Sequence, residues 1–315
     1  MSKQPRKQAL HKFLIAHFLI ALWGCVALSQ SSNNQPIAEV PFAFDRTSVS
    51  VQVKLNGKGP FNMVLDTGSD VATIDLATAK ELGLNLKSTG QAATGGGSDK
   101  AQIFSTQIPQ VEIGGLASRN IVAVAVDLSK SSQGLGKPLH GVLGYSVLKN
   151  RIVQFDYPKR VIRFYSSSPY PRVDPSSNNE RRVVLPFRLG DDSPIIDDVY
   201  VNGKKTTAVI DTGGGGTYFA LMPDAISSLG LEQEMSQAEP DSRGIGVNGL
   251  ITSRKGKIKT LRVATINIDS PTVIFYPKGA GKDHRKFGGA IGNMFLQDYV
   301  VTFDYLNKTV VLERP

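Results

Sequence analysis

Thiols are almost absent from this chain. Its 315 residues include one cysteine, Cys25, and one tryptophan, Trp23. A lone cysteine excludes an intramolecular disulfide framework and any zinc site built from several thiolates. The four histidines, at 11, 17, 140 and 284, are too few and too scattered to suggest a histidine-built metal centre. Long apolar runs are also scarce. The run from Phe13 to Leu28 spans 16 residues, short of the ~20 that cross a bilayer. It follows Lys3, Arg6, Lys7 and Lys12, and Ala27-Leu28-Ser29 offers a small-x-small exit. A basic start, a short apolar stretch and small residues describe an export signal. We read residues 1–29 as a cleaved signal peptide in preference to an uncleaved anchor. Leu22-Trp23-Gly24-Cys25 offers a weaker lipobox reading, in which Cys25 is lipidated and the protein is membrane-held. Both readings export the protein, to the periplasm or the extracellular space.

The net charge of +9 does not point to nucleic acid. Removing the four basic residues of the leader leaves +5, because no acidic residue precedes Glu39. No basic run carries interleaved aromatics.

Within the rest of the chain, Ser166 to Asn179 has the Ser, Pro and Asn content of a linker. On either side of this linker (166–180) the sequence repeats itself. Val64-Leu65-Asp66-Thr67-Gly68 returns as Val209-Ile210-Asp211-Thr212-Gly213. Asn56-Gly57 returns as Asn202-Gly203, and Leu82-Gly83-Leu84 as Leu229-Gly230-Leu231. Residues 141–157 align without gaps to 289–305, with seven of 17 positions identical. Two lobes are therefore expected, at 30–165 and 181–315. Alternation at Val49, Val51, Val53 and Leu55 predicts a half-buried strand. Hairpins are expected at Ile152–Asp156 with Val161–Phe164, and at Val300–Asp304 with Thr309–Leu312. Short helices are expected near Leu76–Leu82 and Pro223–Leu229, with a helical turn after each Gly-x-x-Gly. The fold class is mainly β, with short helices.

Apolar-apolar-Asp-Thr-Gly followed by apolar-apolar-Gly, present twice, resembles the aspartic peptidase clan, pepsin-like and retropepsin-like alike. The likeness is greatest to bacterial exported retropepsin-like proteases, through Asn56-Gly-Lys-Gly-Pro-Phe61 leading into Asp66-Thr67-Gly68. It covers roughly residues 40–165 and 181–314 and implies two lobes of the acid-protease barrel type. Amide hydrolysis without a metal or a covalent nucleophile needs a base for water and an acid for the carbonyl and the amine. Two carboxyls about 3 Å apart cannot both ionise and so share a proton, as in the familiar dyads of this clan.

The resemblance implies catalytic Asp66 and Asp211, supported by Thr67, Gly68, Ser69, Thr212 and Gly213. Thr67 and Thr212 are expected to bond across to the opposite loop. The Gly-x-x-Gly segments should pack behind those loops. Gly95, Gly96 and Gly97 (within Gln91–Gln102) and Gly246 and Gly249 (within Arg243–Ile258) are candidate flap residues. The first candidate has no tyrosine, which favours the retropepsin-like comparison. Ser69 follows the first Asp-Thr-Gly, and its hydroxyl is expected on the carboxylate. Gly214 follows the second and offers none, so a weakly acidic optimum is expected.

The implied activity is an aspartic endopeptidase acting on polypeptide, without cofactor or metal. It would be a monomer, since one chain supplies both carboxylates. The alternative is a catalytically silent, exported peptide-binding protein on the same fold. Gly244-Ile-Gly-Val-Asn-Gly249 matches a dinucleotide fingerprint only formally, because no apolar strand precedes it. Asn248-Gly249 reads better as a hairpin turn. Lys278, Lys282, Arg285 and Lys286 read as a solvated loop rather than an acidic-ligand site. Asp156 and Asp304 read as turn residues.

Overall fold

The computed structural model describes residues 35–45, 47–92, 102–166, 178–179, 181–190, 193–241, 245–246, 249–280 and 285–315. The leader, Gly95, Gly96, Gly97 and most of the 166–180 linker lie outside the described residues.

Two Asn-Gly turns organise the two halves. Asn56 and Gly57 have φ of 51° and 77°, and Asn202 and Gly203 have 50° and 78°. Positive φ at both central residues makes the tight turn whose twist matches paired strands, and Asn and Gly tolerate it best. The first turn joins Val49–Leu55 to Lys58–Leu65. The second joins Ser193–Val201 to Lys204–Ile210. Each second strand runs straight into an Asp-Thr-Gly.

Behind each of those strands lies a short parallel strand made by the Gly-x-x-Gly segment. Gly141–Leu143 pairs with Met63–Leu65, and Gly289–Ile291 pairs with Ala208–Ile210. The glycines are needed for close approach. A Cβ on Gly144 would lie 2.1 Å from the Ser69 carbonyl oxygen, and one on Gly292 would lie 2.6 Å from that of Thr217. The helical turns Tyr145–Leu148 and Asn293–Leu296 follow, as expected. Leu76–Glu81 is a helix capped by the Asp75 side chain on Thr78 N–H. Pro223–Leu229 starts at its proline and ends at left-handed Gly230. The helices Ser129–Leu135 and Glu232–Gln237 were not anticipated.

One sheet of eight strands is drawn from residues 43–143. A larger sheet, of fifteen strands, crosses the expected lobe boundary. Ala38–Pro41, Val161–Tyr165 and Ile152–Asp156 come from the first half. Val300–Asp304, Thr309–Glu313 and Arg182–Gly190 continue the sheet from the second. The register at the junction carries the repeat. Ile152 faces Asp304, Gln154 faces Thr302 and Asp156 faces Val300. Gln154 and Thr302 are equivalent positions of the two halves, so the ladder is self-complementary about that pair, as a two-fold contact must be. Phe155 and Phe303, also equivalent, are fully buried and meet edge to face at 5.8 Å. Burying each ring fully contributes about 1.5–3 kcal/mol.

Asp156 and Asp304 behave as turn residues. Asp156 accepts from Lys159 N–H and from Arg163, and Asp304 accepts from the N–H groups of Leu306 and Asn307.

Candidate active site

The two Asp-Thr-Gly loops meet where the parallel strand pairs end. Asp66 N–H donates to Leu143 C=O at 2.8 Å, and Asp211 N–H to Ile291 C=O at 3.0 Å. Each loop is thus tied to the Gly-x-x-Gly strand behind it. The aspartate side chains are then fixed from within their own loops. Gly68 N–H donates to Asp66 Oδ1 at 2.7 Å, and Gly213 N–H to Asp211 Oδ1 at 2.9 Å.

The threonines brace one loop against the other. Thr67 Oγ1 donates to Ile210 C=O, and Thr212 Oγ1 donates to Leu65 C=O, both at 2.6 Å. Each hydroxyl also accepts the opposite threonine's N–H, at 3.1 Å in both directions. Both threonines are fully buried. Every polar group of this brace is paired, so it fixes geometry without leaving an orphan donor or acceptor.

The glycines face the opposite carboxylate. A Cβ on Gly68 would lie 2.8 Å from Asp211 Cγ, and one on Gly213 would lie 2.5 Å from Asp66 Cγ. Only glycine allows each loop to come so near its partner's acid. The Asp211 carboxyl is near enough to Asp66 to raise its pKa.

Ser69 departs from expectation. Its hydroxyl donates to Val71 C=O at 3.0 Å rather than to the carboxylate. Its main chain supports the loop instead: the Ser69 carbonyl accepts Tyr145 N–H at 2.9 Å. At Gly214 a Cβ would lie 2.9 Å from Asp211 Cγ, so the second loop has no room for a side chain there without movement.

Burial and the facing Asp211 carboxylate hold the Asp66 pKa well above the usual carboxylate range. The Gly68 N–H and the Arg285 charge oppose this only in part.

A family model for aspartyl proteases matches the chain twice, over residues 51–147 and 198–295. The chain belongs to the aspartyl protease family. Each match contains one Asp-Thr-Gly and its Gly-x-x-Gly, so the family relation and the internal repeat describe the same two units. No curated protein matches the chain significantly.

Three parts of this aspartyl protease site carry no signal in the repeat. Asn293 is fully buried. Its Nδ2 donates to the carbonyls of Thr212 and Thr47, both at 3.0 Å, and its Oδ1 accepts the Tyr157 hydroxyl at 2.6 Å. One side chain thus ties the second dyad loop to two points of the first half. The equivalent residue of the first half is Tyr145, so comparing the halves hides this role. Tyr276, whose hydroxyl pKa is pushed up to about 12 by burial and by the charges of Asp211 and Asp241, stays protonated beside the site. Arg285 is the third. The basic stretch was expected to be a solvated loop. Lys278 and Lys286 are exposed, but Arg285 is half-buried, with its guanidinium 5.8 Å from the centre of the Phe287 ring. Lys282 lies outside the described residues.

The first flap candidate, Gly95 to Gly97, also lies outside them. In the second, Ile245–Gly246 pairs with Gly249–Leu250, with Gly246 opposite Gly249. The strand Ile245–Gly246 comes within 8 Å, Cα to Cα, of the first-half helix Ser129–Leu135. Ser253–Lys257 belongs instead to the large sheet, between Glu239–Asp241 and Thr272–Phe275. That part of the flap candidate is therefore held in place.

Proposed function

We propose that this aspartyl protease is an endopeptidase that hydrolyses peptide bonds with Asp66 as the initial acid and Asp211 as the initial base. The observation that carries the reading is the mutual cradle. Each carboxyl lies against the other loop's glycine, and Asp211 is near enough to raise the Asp66 pKa. Two acids in that arrangement hold a single proton between them. The raised pKa of Asp66 supports a resting proton on Asp66.

Asp211 takes a proton from water as the water oxygen bonds to the scissile carbonyl carbon. Asp66 gives its proton to the carbonyl oxygen, which produces a tetrahedral diol. Asp211 then passes its proton to the amide nitrogen as the C–N bond breaks, and Asp66 recovers a proton from a diol hydroxyl. The products are an acid and an amine, and the dyad returns to its starting state. The substrate is polypeptide met outside the cytoplasm, where the apolar leader directs the enzyme.

Peptide cleavage by the full chain, followed from about pH 3 to about pH 7, tests this. The wild type should cleave with a weakly acidic optimum, while Asp66→Asn and Asp211→Asn should each lose at least ~10³-fold in kcat. A wild type no more active than these variants at every pH would leave a peptide-binding protein in place of an enzyme.

A further inference from the structure

Val64 and Val209 share a strand face with no dyad residue, since their strands end at Leu65 and Ile210, but each lies two residues before its aspartate, at the end of the strand that leads into the dyad loop. Each valine belongs to a small apolar patch separate from the main core. The first patch joins Val64 to Val126, Leu128 and Leu139, with Leu135 and Val142 half-buried on it. The second joins Val209 to Ile195, Ala220, Met222 and Ala290, with Tyr276 and Phe287 among the half-buried residues on it.

The two patches contain the equivalent residues Val64 and Val209 but differ at the rim. The first has an aliphatic rim. The second has an aromatic one, and Arg285 stands on it, over Phe287. No carboxylate pairs with Arg285 among the described residues. A half-buried guanidinium without an anion is costly to hold, and its planar donors suit a carboxylate. The dyad carries at most one negative charge to balance it, and that charge is engaged by the second carboxyl.

We propose that Arg285 is a specificity-determining residue that receives the carboxylate of an acidic substrate side chain whose stem lies against the half-buried Phe287 ring at the rim of the second patch. This rests on the endopeptidase reading above and narrows its substrate class. Arg285 also acts on the chemistry, because its positive charge lowers the Asp66 pKa across the lobe junction. A bound acidic side chain would screen that charge from the dyad.

The test uses the full chain and peptide pairs that differ only by Glu or Gln at the residues flanking the cleaved bond. Near pH 6 the glutamate is ionised. Wild type should favour the Glu peptide by about tenfold in kcat/KM. In Arg285→Gln the Glu/Gln ratio should fall to about one, and Arg285→Lys should restore part of it. Because the ratio is taken within each variant, partial misfolding cancels. A wild type without preference, or a preference that survives in Arg285→Gln, overturns the proposal.

Peptide affinities measured on Asp211→Asn, with and without Arg285→Gln, separate this result from the endopeptidase reading. Tighter binding of the Glu peptide that depends on Arg285 supports the proposal even if no peptide is cleaved. Equal binding of both peptides, or binding of neither, overturns it even if cleavage occurs.

Discussion

Asp66 makes the stability of the fold depend on pH. Burial, then the facing Asp211, raises its folded-state pKa above the usual value of about 4. Between those two values the folded chain binds more protons at this site than the unfolded chain does. The stability Asp66 contributes is therefore complete below about pH 4 and is lost as pH rises through the folded-state value. Asparagine cannot ionise and escapes that loss. The melting temperature of Asp66→Asn, relative to wild type, should rise between about pH 4 and about pH 7. Any pH-independent packing effect of the substitution drops out of the comparison. A difference between the two proteins that stays constant over this range would mean that Asp66 does not retain its proton. The same substitution removes the acid that the proposed reaction needs, so stability and activity should move in opposite directions at neutral pH.

At the scale of elements, the two Asn-Gly turns do more than reverse the chain. Asn56 Oδ1 accepts Gln110 N–H, and Asn202 Oδ1 accepts the N–H groups of both Lys259 and Thr260. Each turn thus pins the next strand of its sheet as well as closing its own hairpin. Asn202→Ala removes two accepted hydrogen bonds and places a Cβ-branched-free but L-configured residue at φ 50°, where alanine is less tolerated than asparagine. It should cost about 1–3 kcal/mol, seen as a lower urea midpoint with an unchanged slope. A loss below about 0.5 kcal/mol would make the turn an ordinary surface site.

These turns, the paired strands and the helices after each Asp-Thr-Gly were legible because one physical requirement had been written into the sequence twice. Comparing the halves separated required residues from incidental ones. The helix Ser129–Leu135 was not legible. Its sequence, SKSSQGL, has no apolar period and no side-chain cap. The proximity of Ile245–Gly246 to it joins segments more than a hundred residues apart. Ser69 misled because the tripeptide motif fixes backbone, whereas the hydroxyl rotor follows the nearest acceptor, here Val71 C=O. Arg285 looked solvated because a run of basic residues does not reveal which one folds back onto an aromatic ring.

For the molecule as a whole, the two Asp-Thr-Gly loops come together only where the two halves meet, so the strength of that junction governs the geometry of the carboxyl pair. The junction is a continuous antiparallel ladder between Ile152–Asp156 and Val300–Asp304, backed by the buried Gln154–Thr302 side-chain bond at 3.1 Å. Above it, the threonine brace and Asn293 join the loops themselves. The two-fold is imperfect at one point. Tyr157 donates to Asn293, while its counterpart Tyr305 meets the ring of Tyr145, and its buried hydroxyl has no partner. The second dyad loop is therefore held by a polar tie that the first loop lacks. Asn293→Leu would strand the Tyr157 hydroxyl and the two carbonyls in a buried setting, at a cost of about 1–3 kcal/mol for each group left unpaired. Tyr157→Phe removes only the donor and should cost about 1 kcal/mol. Neither side chain takes part in proton transfer, so both variants should lower kcat through the placement of Asp211 while the Asp66→Asn pattern of pH-dependent stability stays absent. Because the ladder is shared, wild type should unfold in urea in one transition by both circular dichroism and tyrosine fluorescence. Two separated transitions in the wild type would show that the lobes fold independently, and that the tie through Asn293 adds local order rather than coupling.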